Sequence, residues 1–305
     1  MGKAQRRKQE RSPARGPATE SLRPPVQHRA PRVLTQAPLW LGPLLIVALG
    51  AALYANSFSI PFLFDVYFQI NDNPMVKVSE PLRDFLRRSR GLPALTFALN
   101  YRFGGFNPWG FHLVNVAVHL ANALLVYALV LRTLQLPGWR ERYRDSAAML
   151  AACVALVFVA HPLQTMAASY IVQRTESLAA FFYLLTLLLF SLAWTNPDRW
   201  RRLALFGGAG LSALLGVVSK ESVATVPAAL LAYRVCFLPA APGRSRATRL
   251  ALAAALLLPL AYGVYLARLY LFPAAPAAAP GPRSWLFIPS AGFEIEGITP
   301  NWVRR

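Results

Sequence analysis

Charge is what this chain lacks where a soluble protein would carry it. Only 15% of its 305 residues are charged, against about a quarter in soluble domains. The deficit falls in the middle of the sequence, which excludes an ordinary soluble domain there. Acid is scarcer still, with 13 Asp and Glu against 32 Lys and Arg. Cysteine is nearly absent. Cys153 and Cys236 lie far apart in separate apolar runs and read as buried small hydrophobes rather than as a disulfide or metal pair. No 34-residue helical repeat is found either, which leaves the sequence without the signature of a helical solenoid.

What is present is a series of long apolar stretches between Pro38 and Phe272. Each approaches the roughly 20 residues that cross about 30 Å of hydrocarbon. They predict an all-α, polytopic membrane helix bundle of about seven transmembrane helices. The expected spans are Leu39 to Leu53, then 110–131, 146–160, 177–194, 203–218, 222–238 and 249–272. Three regions follow: a basic, disordered tail over 1–37, a membrane domain over 38–272 and a short Ala/Pro-rich tail over 273–305. The first tail is too polar to bury a core and too long for a signal-peptide n-region, so the first span is expected to be an uncleaved anchor.

The net charge of +19 would suggest nucleic acid on a soluble protein. Here it tracks topology instead, and no nucleic-acid partner is expected. The tail, Arg132 with Arg140, Arg142 and Arg144, then Arg199 with Arg201 and Arg202, and finally Arg244, Arg246 and Arg249 make every second loop basic. The positive-inside rule places these loops in the cytosol. The N-terminus is then cytosolic, and the segment 54–109 and the tail 273–305 face outward, in a multi-pass protein of the cell inner (plasma) membrane type.

The remaining polar residues cluster at the outer ends of the spans, as in an enzyme working at the external face of a membrane. Asp65 follows the first span within Phe64-Asp65-Val66-Tyr67 and is a candidate general base. Asp72 and Asn73, before Pro74, suit a turn better. Residues 79–90 pattern as a short interfacial helix. His112, Asn115, His119 and Asn122 fall on one helix face, for interhelical hydrogen bonds or a wet cavity. Arg174, with Glu176 nearby, is open to two readings, a phosphate fork or a structural ion pair. Lys220 is a compact phosphate-binding charge or a snorkelling side chain.

Five short motifs in order then resemble a known family. They are Phe64-Asp65…Asn73-Pro74; Leu95-Thr96-Phe97-Ala98-Leu99-Asn100-Tyr101; Asn107-Pro108-Trp109-Gly110-Phe111-His112-Leu113-Val114-Asn115…His119; His161-Pro162-Leu163-Gln164-Thr165…Tyr170 to Ala180; and Ser219-Lys220-Glu221. Together they resemble the membrane half of the bacterial branch of the transmembrane-and-tetratricopeptide-repeat family. That family is similar to protein O-mannosyltransferases and shares the GT-C glycosyltransferase fold. The resemblance implies a GT-C-like core and transfer of a sugar from a polyprenyl-phosphate carrier to an acceptor, a protein hydroxyl or a glycan, beside membrane lipid. It implies Asp65 as base and Arg174 and Lys220 as lipid-phosphate ligands, with His161, Glu176 and Glu221 in support. No cofactor is assigned, and a divalent metal is left open.

Two departures temper this. The family carries two adjacent acids in its first outer loop, where Val66 takes the second place here. Relatives also continue into further helices and repeats, so the sequence reads as a short or truncated form. A non-catalytic membrane scaffold, or an inactive fragment of such an enzyme, is the alternative. A transporter has only the polar face of the second span in its favour.

Overall fold

A computed structural model of the chain describes residues 38–77, Phe85, 90–239 and a few helical positions between Ala253 and Arg268. The two tails, most of the expected interfacial helix over 79–90 and most of the seventh span lie outside the described residues. The described part is helical, with no strand among the described residues. Its principal helices are α1 Leu41–Leu53, α2 Gly91–Gly104, α3 Pro108–Leu134, α4 Ala147–Ala160, α5 Arg174–Thr195, α6 Arg199–Ser219 and α7 Val226–Phe237.

Local chemistry sets several of these boundaries. Asn107 caps α3 by accepting the Trp109 amide at 3.0 Å, and Pro108 occupies the first helical position, where its missing N–H costs nothing. Asp198 caps α6 through the Arg201 amide at 2.7 Å. α4 stops at His161 because Pro162 disfavours a helical residue before it. The chain then resumes in short helices over Pro162–Gln164 and Thr165–Ser169, bent by 56° from α4.

Four helical stretches, five if the bent pair counts as one, are long and apolar enough to cross a membrane among the described residues. They are Leu41–Ser59, Pro108–Leu134, Ile171–Thr195 and Arg199–Ser219, with the bent pair beginning at Ala147. The expected sixth span is helical but shorter: α7 has 12 residues after a 3₁₀ stretch over Glu221–Thr225. Large apolar side chains face outward along these helices, among them Leu44, Val157, Leu211 and Val235. An apolar exterior of this kind suits hydrocarbon rather than water.

That exterior also explains a correction. Cys153 and Cys236 are free and exposed rather than buried. In a membrane bundle the lipid-facing surface is as apolar as the core, so an apolar run does not reveal which way a small side chain points.

Three apolar clusters hold the bundle together. Ile46, Tyr54, Val116, Tyr127, Ala151 and Val159 join α1, α3 and α4. Phe190, Trp194, Phe206, Val217, Val226 and Leu230 join α5, α6 and α7. Phe62, Val66, Ile70, Phe97, Phe111 and Ile171 pack the segment after α1 against α2 and the start of α3. Small residues bring the helices close: Ala151 and Ala155 are fully buried. A Cβ on Gly50 would overlap the Leu120 side chain and lie 2.9 Å from Val159 Cγ2. Gly50→Leu is therefore expected to cost about 1–3 kcal/mol by overpacking and to lower the thermal midpoint in detergent. An unchanged midpoint would show that α1 does not seat against α3 and α4 in this way.

Candidate functional site

Every expected site residue sits at one end of the bundle. Here α1, α4 and α6 finish and α3, α5 and α7 begin. The centre of this end is Arg174, the first residue of α5, with no exposed surface. Its Nε donates to Asn115 Oδ1 at 2.7 Å. Nη1 donates to Asn100 Oδ1 at 2.6 Å and to Thr96 Oγ1 at 3.3 Å. Nη2 donates to the Phe111 carbonyl at 2.8 Å. The guanidinium also lies 4.5 Å from the Phe97 ring centroid, a cation–π distance. One planar fork thus ties α2, α3 and α5 together through neutral acceptors. Arg174 does not pair with Glu176, and a direct phosphate contact would require it to leave these partners.

The polar face of α3 is structural on the same terms. His112, Asn115, His119 and Asn122 are all buried. His112 Nε2 meets the Ile60 carbonyl at 3.0 Å. Asn115 Nδ2 donates to the Tyr170 and Ile171 carbonyls, both at 3.2 Å. Asn122 donates to the Ser177 carbonyl at 2.9 Å. His119 meets the Tyr54 ring edge-on at 5.1 Å and stacks on Phe158 at 5.5 Å. Of the two readings of this face, interhelical bonding is the one the geometry takes.

Asp65 lies across Tyr170 from this network. It is exposed and follows Phe64, which has a left-handed φ of 52°. Such a conformation is rare for a bulky residue and clusters at functional sites. A π-helical turn over Tyr67–Asn71 comes next, another feature common at such sites. Burial pushes the Tyr170 phenol above its ordinary range; a backbone hydrogen bond at Asp65 pulls it down, and the Asp65 carboxylate pushes it up again. Asp65 and Tyr170 are therefore neighbours. Because Asn115 donates to the Tyr170 carbonyl, the chain of contacts runs on to Arg174. Val66 points the other way: it is 1% exposed, inside the cluster with Phe62, Ile70 and Phe97.

Lys220 follows α6, and its Nζ forms an ion pair with Glu176 Oε1. Glu221 pairs with Arg90 Nε at 3.8 Å. Burial, then the charge of Arg90, lower the Lys220 ammonium below its ordinary range, and Glu221 works against them. Glu176 also stands on the rim of an open, mostly apolar groove of about 430 Å³. Val126, Phe158, Ala180, Tyr183 and Val223 line it. Half-exposed ion pairs contribute about 0–1 kcal/mol. Lys220→Ala is thus expected to leave the thermal midpoint within about 2 °C. A large fall in the midpoint would make Lys220 structural.

The expected residues therefore form two groups, Asp65 beside the Arg174 network and Lys220 with Glu176 and Glu221. His161 joins neither. It is exposed, and its Nδ1 accepts the Leu163 amide at 3.2 Å. Among the described residues no three His, Cys, Asp or Glu side chains converge as a metal site. Thr96 and Asn100 contact Arg174, and Arg90 pairs with Glu221; from sequence alone Thr96 and Asn100 have no role of their own, and Arg90 has only a place in the interfacial helix over 79–90. Thr96 and Asn100 did leave a signal, as two polar residues four apart on an apolar helix.

Part of the chain is similar to known proteins. Over 208 residues the chain is 32% identical to human protein O-mannosyl-transferase TMTC2, covering 63% of this chain and 24% of that protein. It is 29% identical to human protein O-mannosyl-transferase TMTC4 over 218 residues, 62% of this chain and 28% of that protein. The fruit-fly (Drosophila melanogaster) protein O-mannosyl-transferase Tmtc2 is 33% identical over 201 residues, 60% of this chain and 20% of that protein. The chain spans about a quarter of the length of these relatives. No family model and no solved structure matches it.

Proposed function

We propose that this protein is a membrane glycosyltransferase. It moves a sugar from a polyprenyl-phosphate carrier to an acceptor hydroxyl on a protein or glycan, at the external face of a cell inner membrane. The reading includes a GT-C-like core of seven spans with a cytosolic N-terminus. The observation that carries it is Glu176 on the rim of an apolar groove with Lys220 paired to it: a cation held beside an apolar groove suits an amphiphile with an anionic head. The likeness to protein O-mannosyl-transferases makes mannose the first sugar to test.

In this reading the acceptor oxygen attacks the sugar's anomeric carbon. The bond from that carbon to the phosphate oxygen breaks, and the polyprenyl phosphate leaves with the electron pair. Asp65 takes the acceptor proton. Lys220 faces the phosphate, with Glu176 and Glu221 setting its position and His161 shaping the loop beside α4. Arg174 acts at one remove, fixing α2 and α3 behind Asp65.

Labelled polyprenyl-phosphate mannose and an acceptor peptide, added to the protein in membranes, test this. Transfer of label to the peptide is expected. Carrier binding without transfer would favour a second reading, a non-catalytic scaffold, for which the buried Val66 in place of a second acid is the specific observation. Neither binding nor transfer would sink the glycosyltransferase.

A further inference from the structure

The opposite end of the bundle carries a second site. α3 rises about 1.5 Å per residue, so Arg132 lies about 25 Å along it from Asn115 in the Arg174 network. There the end of α3, the one-turn helix Arg140–Tyr143 and the start of α4 enclose a cavity of about 380 Å³. Its walls include Arg132, Gln135, Arg140, Tyr143, Arg144 and Ala147. We infer that this cavity binds a phosphoryl anion, the headgroup of an anionic lipid or a free phosphate.

Three observations carry this. First, three guanidiniums line one cavity, although Glu141 and Asp145 are neighbours in sequence. Among the described residues none of the three arginines forms an ion pair. Gathering like charges without a counter-charge costs free energy that a bound anion returns. Second, the Arg132 head is fixed. Its Nη2 donates to Thr195 Oγ1 and to the Ser191 carbonyl on α5, while its Nε is buried without a hydrogen-bond partner. An oriented guanidinium is the group that takes phosphate oxygens. Third, the neutral walls are polar. Gln135 and the Tyr143 hydroxyl offer hydrogen bonds of the kind a glycerol or sugar-alcohol headgroup accepts and donates. Basic pockets between membrane helices take anionic headgroups in this manner, and the volume lies within the range of small-ligand sites.

Arg140 and Arg144 are exposed, so they can be removed without opening the core. The full chain would be purified from membranes containing phosphatidylglycerol and cardiolipin, and the lipid it retains weighed by native mass spectrometry. In parallel, the thermal midpoint of delipidated protein would be followed as inorganic phosphate is added. Retained anionic phospholipid that falls at least tenfold in Arg140→Ala/Arg144→Ala, and less in Arg140→Lys/Arg144→Lys, supports the site and makes its ligand a lipid. A rise in midpoint with inorganic phosphate, absent from the alanine variant and unaccompanied by retained lipid, supports the site and makes its ligand a free phosphate. Equal retention and equal midpoints in wild type and alanine variant, or no binding of either probe, overturn it.

Discussion

Replacing Arg174 by methionine is expected to lower the unfolding midpoint by about 10 °C. The reasoning starts from what the substitution leaves behind. Asn115 Oδ1, Asn100 Oδ1 and the Phe111 carbonyl all accept from this one guanidinium, and a thioether donates to none of them. Buried acceptors left unpaired cost about 1–3 kcal/mol each, partly offset by relaxation and by the transfer of methionine itself into the core. A net loss of about 3–5 kcal/mol is in line with breaking other buried charge networks, and each kcal/mol moves the midpoint by about 2–4 °C at this chain size. Arg174→Lys is expected to rescue little, because one ammonium cannot span acceptors held by Nε, Nη1 and Nη2 on two other helices. Unfolding in detergent, followed by tryptophan fluorescence, checks both variants. Hydrogen exchange should also quicken in α2, which the fork holds through Thr96 and Asn100. The opposite pattern, donor affinity lost at an unchanged midpoint, would make Arg174 a direct phosphate ligand and remove it from the architecture.

Arg174 also marks the boundary of what the sequence could reveal. Helices were legible because apolar runs of membrane length have few other fates, and the cores of six expected spans coincide with observed helices, although only four or five stretches among the described residues are long and apolar enough to cross a membrane. The polar face of α3 was legible because spacings of three and four put residues on one side of any helix. Which partner each polar group would find was not legible. Glu176 stands two residues from Arg174, yet it pairs with Lys220, 44 positions away, because Arg174 turns into the bundle while Glu176 faces out. α2 was read as part of an outer loop. Its buried face is short, Pro93, Ala94 and Phe97, and only the third apolar cluster and the Arg174 fork make it a fixed wall. Nor does an apolar run say which of its sides meets lipid, which is why both cysteines surfaced where burial was expected.

Asp65→Asn is expected to lower the transfer rate 10²- to 10⁴-fold, the range that a positioned general base contributes, with donor affinity unchanged within about twofold. The carboxamide keeps the shape of the carboxylate and loses only its ability to take a proton. Asp65 is exposed, so the thermal midpoint should move by no more than about 1 °C, which separates this variant from Arg174→Met. The left-handed Phe64 gives the expectation its structural edge. Strain at a bulky residue persists only where the surroundings hold it, and here Val66 on one side is locked into the apolar cluster while Tyr170 abuts Asp65 on the other. The acid is thus presented by a rigid turn rather than by a loose loop. The burial of Val66 sharpens the test further. A second carboxylate at that position would enter an apolar core and carry a desolvation cost of several kcal/mol, so in this fold the neighbouring position offers no substitute base. Transfer by Asp65→Asn at the wild-type rate would therefore remove Asp65 from the mechanism and leave exposed His161 as the group at this end to test next, because among the described residues Glu176 and Glu221 are held in ion pairs and Asp72 lies beyond the π-helical turn.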